Sequence, residues 1–359
     1  NKMKKKLLIL LIIIGFVFVY TSSMLAADLN PTPDNPITLR LGHENRGHWP
    51  EGEGDFPDAE HAFALVFKSI LEADTNGAVN VEIFPNSTLG SAKEMTERVQ
   101  TGTLDLAITT GAMGGFYPEF QVINIPYAFQ SPEIAWWLFD NSEFWNDLMD
   151  DMAEETNLRC LGMGQNGIRN FTNNERPIKK PADMEGLKFR VMESPIYVKT
   201  VEALGGNAVP IAWGELYTSL QTGVVDGQEN PVSIIELGKL YEVQKYLTMD
   251  GHTWSESMMI MNDNLFKDLP ASIQQSIKKA AHHGTVTNRS IEEMKSWITS
   301  YKPVKENMEI YTPTPEEIKK FRETAQPEVL EWLRGEIGDK VVDDFLTAVD
   351  KAEQELGYK

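Results

Sequence analysis

Cysteine is almost absent. Cys160 stands alone among 359 residues, and one thiol closes no internal disulfide. The apolar run around it, Leu158 to Leu161, predicts a buried and inert thiol. Basic residues are scarce too: 33 Lys and Arg face 53 Asp and Glu, a formal charge of −20. Such a surface disfavours nucleic acid and anionic lipid, while leaving room for a local cationic pocket around a small anion. Past residue 27 no apolar run approaches the ~20 residues of a membrane span. Low-complexity tracts and short repeats are missing.

Catalytic motifs are missing as well. His43-Glu-Asn-Arg-Gly-His48 is one residue too long for a zinc-protease helix, and Gly47 and Pro50 deny a helix there. His282-His283 has no Cys or acid at ligand spacing. No nucleophile elbow or Ser/His/Asp order is found. Gly162-Met-Gly-Gln-Asn-Gly167 fits G-x-G-x-x-G, but the following residues do not open a helix, so no free N–H groups would face a phosphate. The chain calls for no metal, cofactor or ATP.

What is present begins with a leader. Lys4-Lys-Lys6, an apolar run from Leu7 to Tyr20 and small residues up to Ala27 read as a signal peptide, 1–27, cut near Ala26 or Ala27. The leader holds four lysines and no acid, so the exported remainder is four charges more negative than the whole. A periplasmic location is expected.

Strands and helices then alternate. Ile37 to Leu41, Val79 to Phe84 and Leu104 to Ile108 read as strands. A helix with Ala62, Leu65, Val66, Ile70 and Leu71 on one face, and another from Ala92 to Gln100, fall between them. This order implies a parallel α/β sheet covered on both faces. Ser131-Pro-Glu133 opens a helix whose Trp136, Trp137, Phe139 and Trp145 are expected in the core. Asn157 to Gly162 is a further strand. A long helix runs from Pro270 to about Ser300, and Thr314-Pro-Glu-Glu317 is a capping box. The loop from Asn45 to Pro57 is long, and His48, Trp49, Glu51 and Glu53 on it are placed to roof a cleft.

The stretch from Asp183 to Pro231 organises the rest. Leu187, Phe189 and Val191 alternate with Lys188, Arg190 and Met192, a strand with one apolar face. Arg190 lies near its carboxyl end, where ligands sit in open α/β sheets. A guanidinium there can meet a carboxylate at two points.

Asp183-Met-Glu-Gly-Leu-Lys-Phe-Arg-Val191 resembles a segment of the substrate-binding proteins of tripartite ATP-independent periplasmic (TRAP) transporters, the DctP family. Ala203-Leu-Gly-Gly206, Trp213-Gly-Glu-Leu-Tyr217 and Leu220 to Pro231 follow in that family's order. Phe84-Pro85, Leu89-Gly90, Gly102 to Asp105 and Ile125-Pro-Tyr127 also match.

The resemblance implies a two-domain α/β periplasmic binding protein fold. A ligand cleft would lie between the domains, with crossing strands and a long connecting helix. Domain I would take 28–165 and about 256–300; domain II would take 166–255 and the C-terminal helices at about 301–359. By the same resemblance Arg190 binds a carboxylate, Asn230 bonds the ligand and Arg169 is a second arginine. Trp213 walls the pocket, Glu44 makes a polar contact and Thr110 lines the cleft. His252, Trp254 and Glu256 are further candidates. The implied role is capture of a small organic acid, of sugar-acid or dicarboxylate type, by a monomer that delivers it to small and large membrane subunits. Glu44 also fits an ectoine-like zwitterion. A ligand sensor docking on a receptor, or a secreted enzyme using His252, Glu256 or Glu44, are the rival readings.

Overall fold

The computed structural model of the protein describes residues 29–47 and 57–359. The leader, and His48, Trp49, Glu51 and Glu53 of the expected roof, lie outside the described residues.

One mixed sheet of nine strands runs through the described residues. β1 (Ile37–His43), β2 (Val79–Phe84) and β3 (Leu106–Thr109) form its first parallel part, in the order β2-β1-β3. β5 (Lys188–Val191), β6 (Asn207–Pro210) and β7 (Gly227–Asn230) form the second, in the order β7-β5-β6. Two long antiparallel strands join them, β4 (Leu158–Asn173) and β8 (Tyr246–Asn262). β8 pairs with β3 through Met258–Met261, and β4 pairs with β7 through Asn170–Asn173. The two long strands therefore bridge the two parallel parts, β8 joined to the first and β4 to the second. Short β9 (Glu309–Tyr311) pairs with β8.

The expected α/β alternation follows the chain closely. The helix Ala59–Asp74 has Asp58 as its cap, with Oδ1 accepting from Glu60 and His61 N–H. Phe63, Phe67 and Leu71 are buried on its inner face with Leu39, Leu41 and Val81, the pattern of an amphipathic helix on a parallel sheet. Ser91 and Glu94 close a capping box on Ala92–Gln100, and Thr314 and Glu317 do so on Pro315–Ile337. Ser131 precedes Pro132–Asn141 without a side-chain cap bond among the described residues.

Three findings differ from expectation. The strand starting after Asn157 does not end near Gly162 but continues to Asn173, and the G-x-G-x-x-G run lies inside it. Shifts in register at Cys160/Gly162, Gln165/Gly167 and Arg169/Phe171 let it bend while keeping its ladder. The long helix Ala271–Met294 passes into a π-helical turn, Lys295–Thr299, before Tyr301–Asn307. Cys160 is half-buried rather than fully buried, though its setting still pushes the thiol up to about 12.

The C-terminal helices span the halves. Pro315–Ile337 packs on Pro195–Ala203, beside the second parallel part, whereas Asp339–Glu355 packs on Pro132–Asn141. One buried cluster runs from Met95 and Phe120 through Phe171 and Phe189 to Phe321 and Phe345. No helix of the described residues is long and apolar enough to cross a membrane.

Candidate functional site

The carboxyl ends of β1, β3, β5, β6 and β7 converge on one narrow gap. Its walls are Glu44, Asn45, Glu60, Ser91 to Lys93 and Thr110 to Ala112 on one side. Arg190, Met192, Glu193, Ile211 to Trp213, Asn230 and Ile234 stand on the other, with Asn166 of β4 between them. The void is narrow, about 50 Å³.

Arg190 dominates the gap. Its side chain is only 3% exposed, and Nε donates to the Ile211 carbonyl at 2.7 Å. Among the described residues neither Nη has a partner. Burial, joined by the nearby Arg169 charge, draws its pKa down to about 10, against the pull of Glu229, Glu44 and Glu193. A guanidinium held in that state is short of negative charge. Register explains the placement. Arg190 pairs with Gln228 across parallel β5 and β7, so Arg190, Gln228 and Asn230 share a face. Asn230 donates from Nδ2 to Gln228 Oε1 at 2.5 Å, and its carbonyl end is left for the gap. Trp213 opens the helix Trp213–Gln221 and stands on the wall. Gly238 seats it, since a Cβ there would lie 2.8 Å from Cη2 of the indole.

Across the gap Glu44 follows β1, and its Oε1 accepts the Ala92 N–H at 3.0 Å. Burial pushes Glu44 up to about 7, with Ala92 and Arg190 opposing. Glu60 is 4% exposed; burial, then Asp58 and Glu44, raise it well above the usual carboxylate range. Thr110 lies on the wall beside Gly111, whose N–H donates to Glu256 Oε1 at 2.8 Å.

Four expected contacts stand behind the wall instead. Arg169 lies on the opposite face of the sheet, fully buried, with Nε and Nη2 donating to the Glu229 carboxylate. Its charge is thereby neutralised. His252 sits between Glu229 and Asp250, at 3.2 and 2.9 Å, and stacks on Phe171. Burial lowers the imidazole, but Asp250 and Glu229 outweigh it and bring it up to about 9. Trp254 donates to Gln165 Oε1. Glu256 holds the Gly111 turn and the Asn124 side chain, and burial raises its pKa. These groups shape the wall from behind.

Glu60 and Asn166 line the gap without having been singled out from the sequence. Neither carries a motif. Glu60 lies in the first turn of a helix legible only from its apolar face, and Asn166 owes its direction to the irregularity between Gln165 and Gly167. A larger void, about 540 Å³, lies on the far side of the crossing strands. It is lined by Phe129, Ile168, Met249, Trp297 and Ile318, and Arg322 at its edge is exposed. It lacks a buried cation short of a partner among the described residues.

Two lobes on shared crossing strands, with strand ends facing one small gap, define a two-domain solute-binding protein. The chain belongs to the bacterial extracellular solute-binding proteins of family 7, the DctP family, whose model matches residues 57–335. It is 32% identical over 315 residues to the ectoine-binding periplasmic protein TeaA of Halomonas elongata, covering 85% of this chain and 88% of that one. The sugar acid binding protein of Advenella mimigardefordensis, solved with galactonate, superposes with a TM-score of 0.81 at 28% identity, covering 88% of this chain and 99% of that one. A TRAP periplasmic solute-binding protein from a Polaromonas species, bound to D-erythronate, gives 0.78 at 29% identity, over 86% and 98%.

Proposed function

We infer that the protein captures a small hydroxylated organic acid outside the cytoplasm and hands it to the membrane subunits of a TRAP transporter. The observation that carries this is Arg190, buried in the gap with both Nη atoms unpartnered among the described residues. A carboxylate would complete it with two charge-assisted hydrogen bonds. Asn230 would add a bond beside it, Trp213 a flat apolar wall, and Thr110 and Glu44 contacts from the opposite lobe. Relatives that bind galactonate and D-erythronate support the sugar-acid class.

The division into lobes follows the two parallel parts of the sheet, with the hinge passing through the bulged middle of β4 and the facing part of β8. A ligand gripped from both sides favours the closed arrangement because only there does it meet both walls. The exported, periplasmic location and the membrane partners come with the family. His252 is held between Asp250 and Glu229, and Glu256 by Gly111 and Asn124, so the protein is read as a binder and not an enzyme. A zwitterionic solute is the second reading, favoured by Glu44 on the wall and by the ectoine-binding relative.

The test is a thermal-shift panel of organic acids and zwitterions, followed by calorimetry on the hits. Arg190→Ala should weaken every true ligand by ~2–5 kcal/mol, the range for removing one partner of a desolvated charge pair. Unchanged affinity in that variant would overturn the assignment.

A further inference from the structure

The glycines of β4 fit one face of the long helix. A Cβ on Gly162 would run into Thr285 Oγ1, one on Gly164 would lie 2.5 Å from Asn288 Oδ1, and one on Gly167 would lie 3.0 Å from Glu292 Oε1. Thr285, Asn288 and Glu292 are spaced by three and then four residues, so they form one stripe along Ala271–Met294. All three are buried. The helix thus lies close on the backbone of β4, with polar side chains where an apolar stripe is usual.

Glu292 ends this stripe behind the wall of the gap. Its Oε1 accepts from the Ser233 hydroxyl, and from Ser296 Oγ at 2.9 Å. Ser233 belongs to the short helix Val232–Leu237, which Pro231 opens. Asn230, just before that helix, and Ile234, just after Ser233, line the gap. Gly167, which bears on the same oxygen, follows Asn166, and Asn166 lines the gap too. One carboxyl oxygen therefore backs two separate segments of the wall.

A buried carboxyl is costly unless it is bonded, so the two hydroxyl bonds account for an acid at this point. Burial pushes Glu292 up to about 8, with Asp58 adding to the rise and Ser233, Lys295 and Ser296 opposing it. Near neutral pH it serves as an uncharged acceptor, and an amide of the same shape could do the same.

Resting on the reading of the gap as a solute site, we propose that Glu292 is a positioning residue for binding. By holding Ser233 and bearing on Gly167 it fixes the spacing of Asn230 and Asn166, and it touches no solute itself.

Titration calorimetry tests this with galactonate, D-erythronate, succinate and ectoine as probes, well below the melting temperature, where lost stability alone does not move the affinity of the folded protein. Glu292→Leu should weaken every probe that binds by at least about tenfold, because polar groups without their support drift from the productive geometry. Glu292→Gln keeps the acceptor oxygen and should stay within about twofold. Ser233→Ala should weaken binding as well, and adding it to Glu292→Leu should cost little more, since the two residues share one bond. Arg289→Met is the structural control: that side chain is buried on the same helix but holds Asp140 and the Met163 carbonyl. It should lower the melting temperature and leave affinity alone. Unchanged affinity in Glu292→Leu would overturn the proposal, as would a loss in Glu292→Gln or Arg289→Met equal to that in Glu292→Leu; Arg190 would remain the anion site. Should Glu292→Leu not fold, full affinity in Ser233→Ala overturns it. If the wild type binds none of the probes, the reading of the gap falls and this proposal with it.

Discussion

Arg190 and Arg169 are both buried, yet they stand in opposite electrostatic states. Arg169 is locked to Glu229 and backed by His252; Arg190 has one bond, to a carbonyl. Breaking a buried pair leaves an uncompensated charge, so Arg169→Met should lose ~3–5 kcal/mol of stability. Arg190→Met removes a charge that is itself uncompensated, so the ligand-free melting temperature should hold or rise while the ligand-induced shift disappears. Scanning fluorimetry on both variants with and without ligand checks the contrast. This difference was not legible in the sequence. Both arginines match family positions. Only the pairing of Phe171 with Glu229 across β4 and β7 shows which one is already satisfied. Strand-end logic pointed to Arg190, because the period of two marks where its strand stops; Asn230, Glu44 and Thr110, which also line the gap, were expected from the resemblance.

At the level of elements, the crossing strand β4 is the least regular piece and the one least visible beforehand. Its middle carries Gly162, Gly164 and Gly167, where the strand was expected to end near Gly162. Instead the glycines let neighbours close in. Gly167 has φ +124, and a Cβ on it would lie 2.8 Å from Pro231 Cβ and 3.0 Å from Glu292 Oε1. Pro231 follows Asn230 directly, so the bend in β4 and the ligand-side turn of β7 are one packing unit. Gly167→Ala should cost ~1–3 kcal/mol from strain at that φ. It should also weaken ligand binding, because it pushes on Pro231. Chemical denaturation and calorimetry on the same variant separate the two effects. By contrast, the ends of Val79–Phe84 and Ala92–Gln100 fell where patterning and the Gly102 stop placed them, since those elements are set by local alternation and capping.

For the molecule as a whole, several buried acids outnumber the cations near them. Burial raises Glu44 to about 7 and Glu292 to about 8, the latter against bonds from Ser233 and Ser296; His252 is raised to about 9. In each case the folded value exceeds the ordinary one, so the native state holds the proton more tightly than the unfolded chain does. Their contribution is fully present below the ordinary values and is lost as pH climbs through 7 to 9. The ligand-free melting temperature should therefore be higher near pH ~5–6 than near pH ~9, and Glu292→Gln should flatten the slope. A pH series of melts decides it, and a rising melting temperature towards pH 9 would refute it.

The helix Pro195–Ala203 begins without a side-chain cap from Ser194. Its Ile196 N–H is met by Gln121 Oε1 at 3.1 Å, a group that the proposed division assigns to the first lobe. A helix start without its acceptor is worse off by roughly 1 kcal/mol. If the lobes separate at that seam, the loss would skew the resting equilibrium about fivefold toward the shut arrangement. Solute would then be loading a clamp that already leans inward, and the transporter would have to supply the pull that springs it.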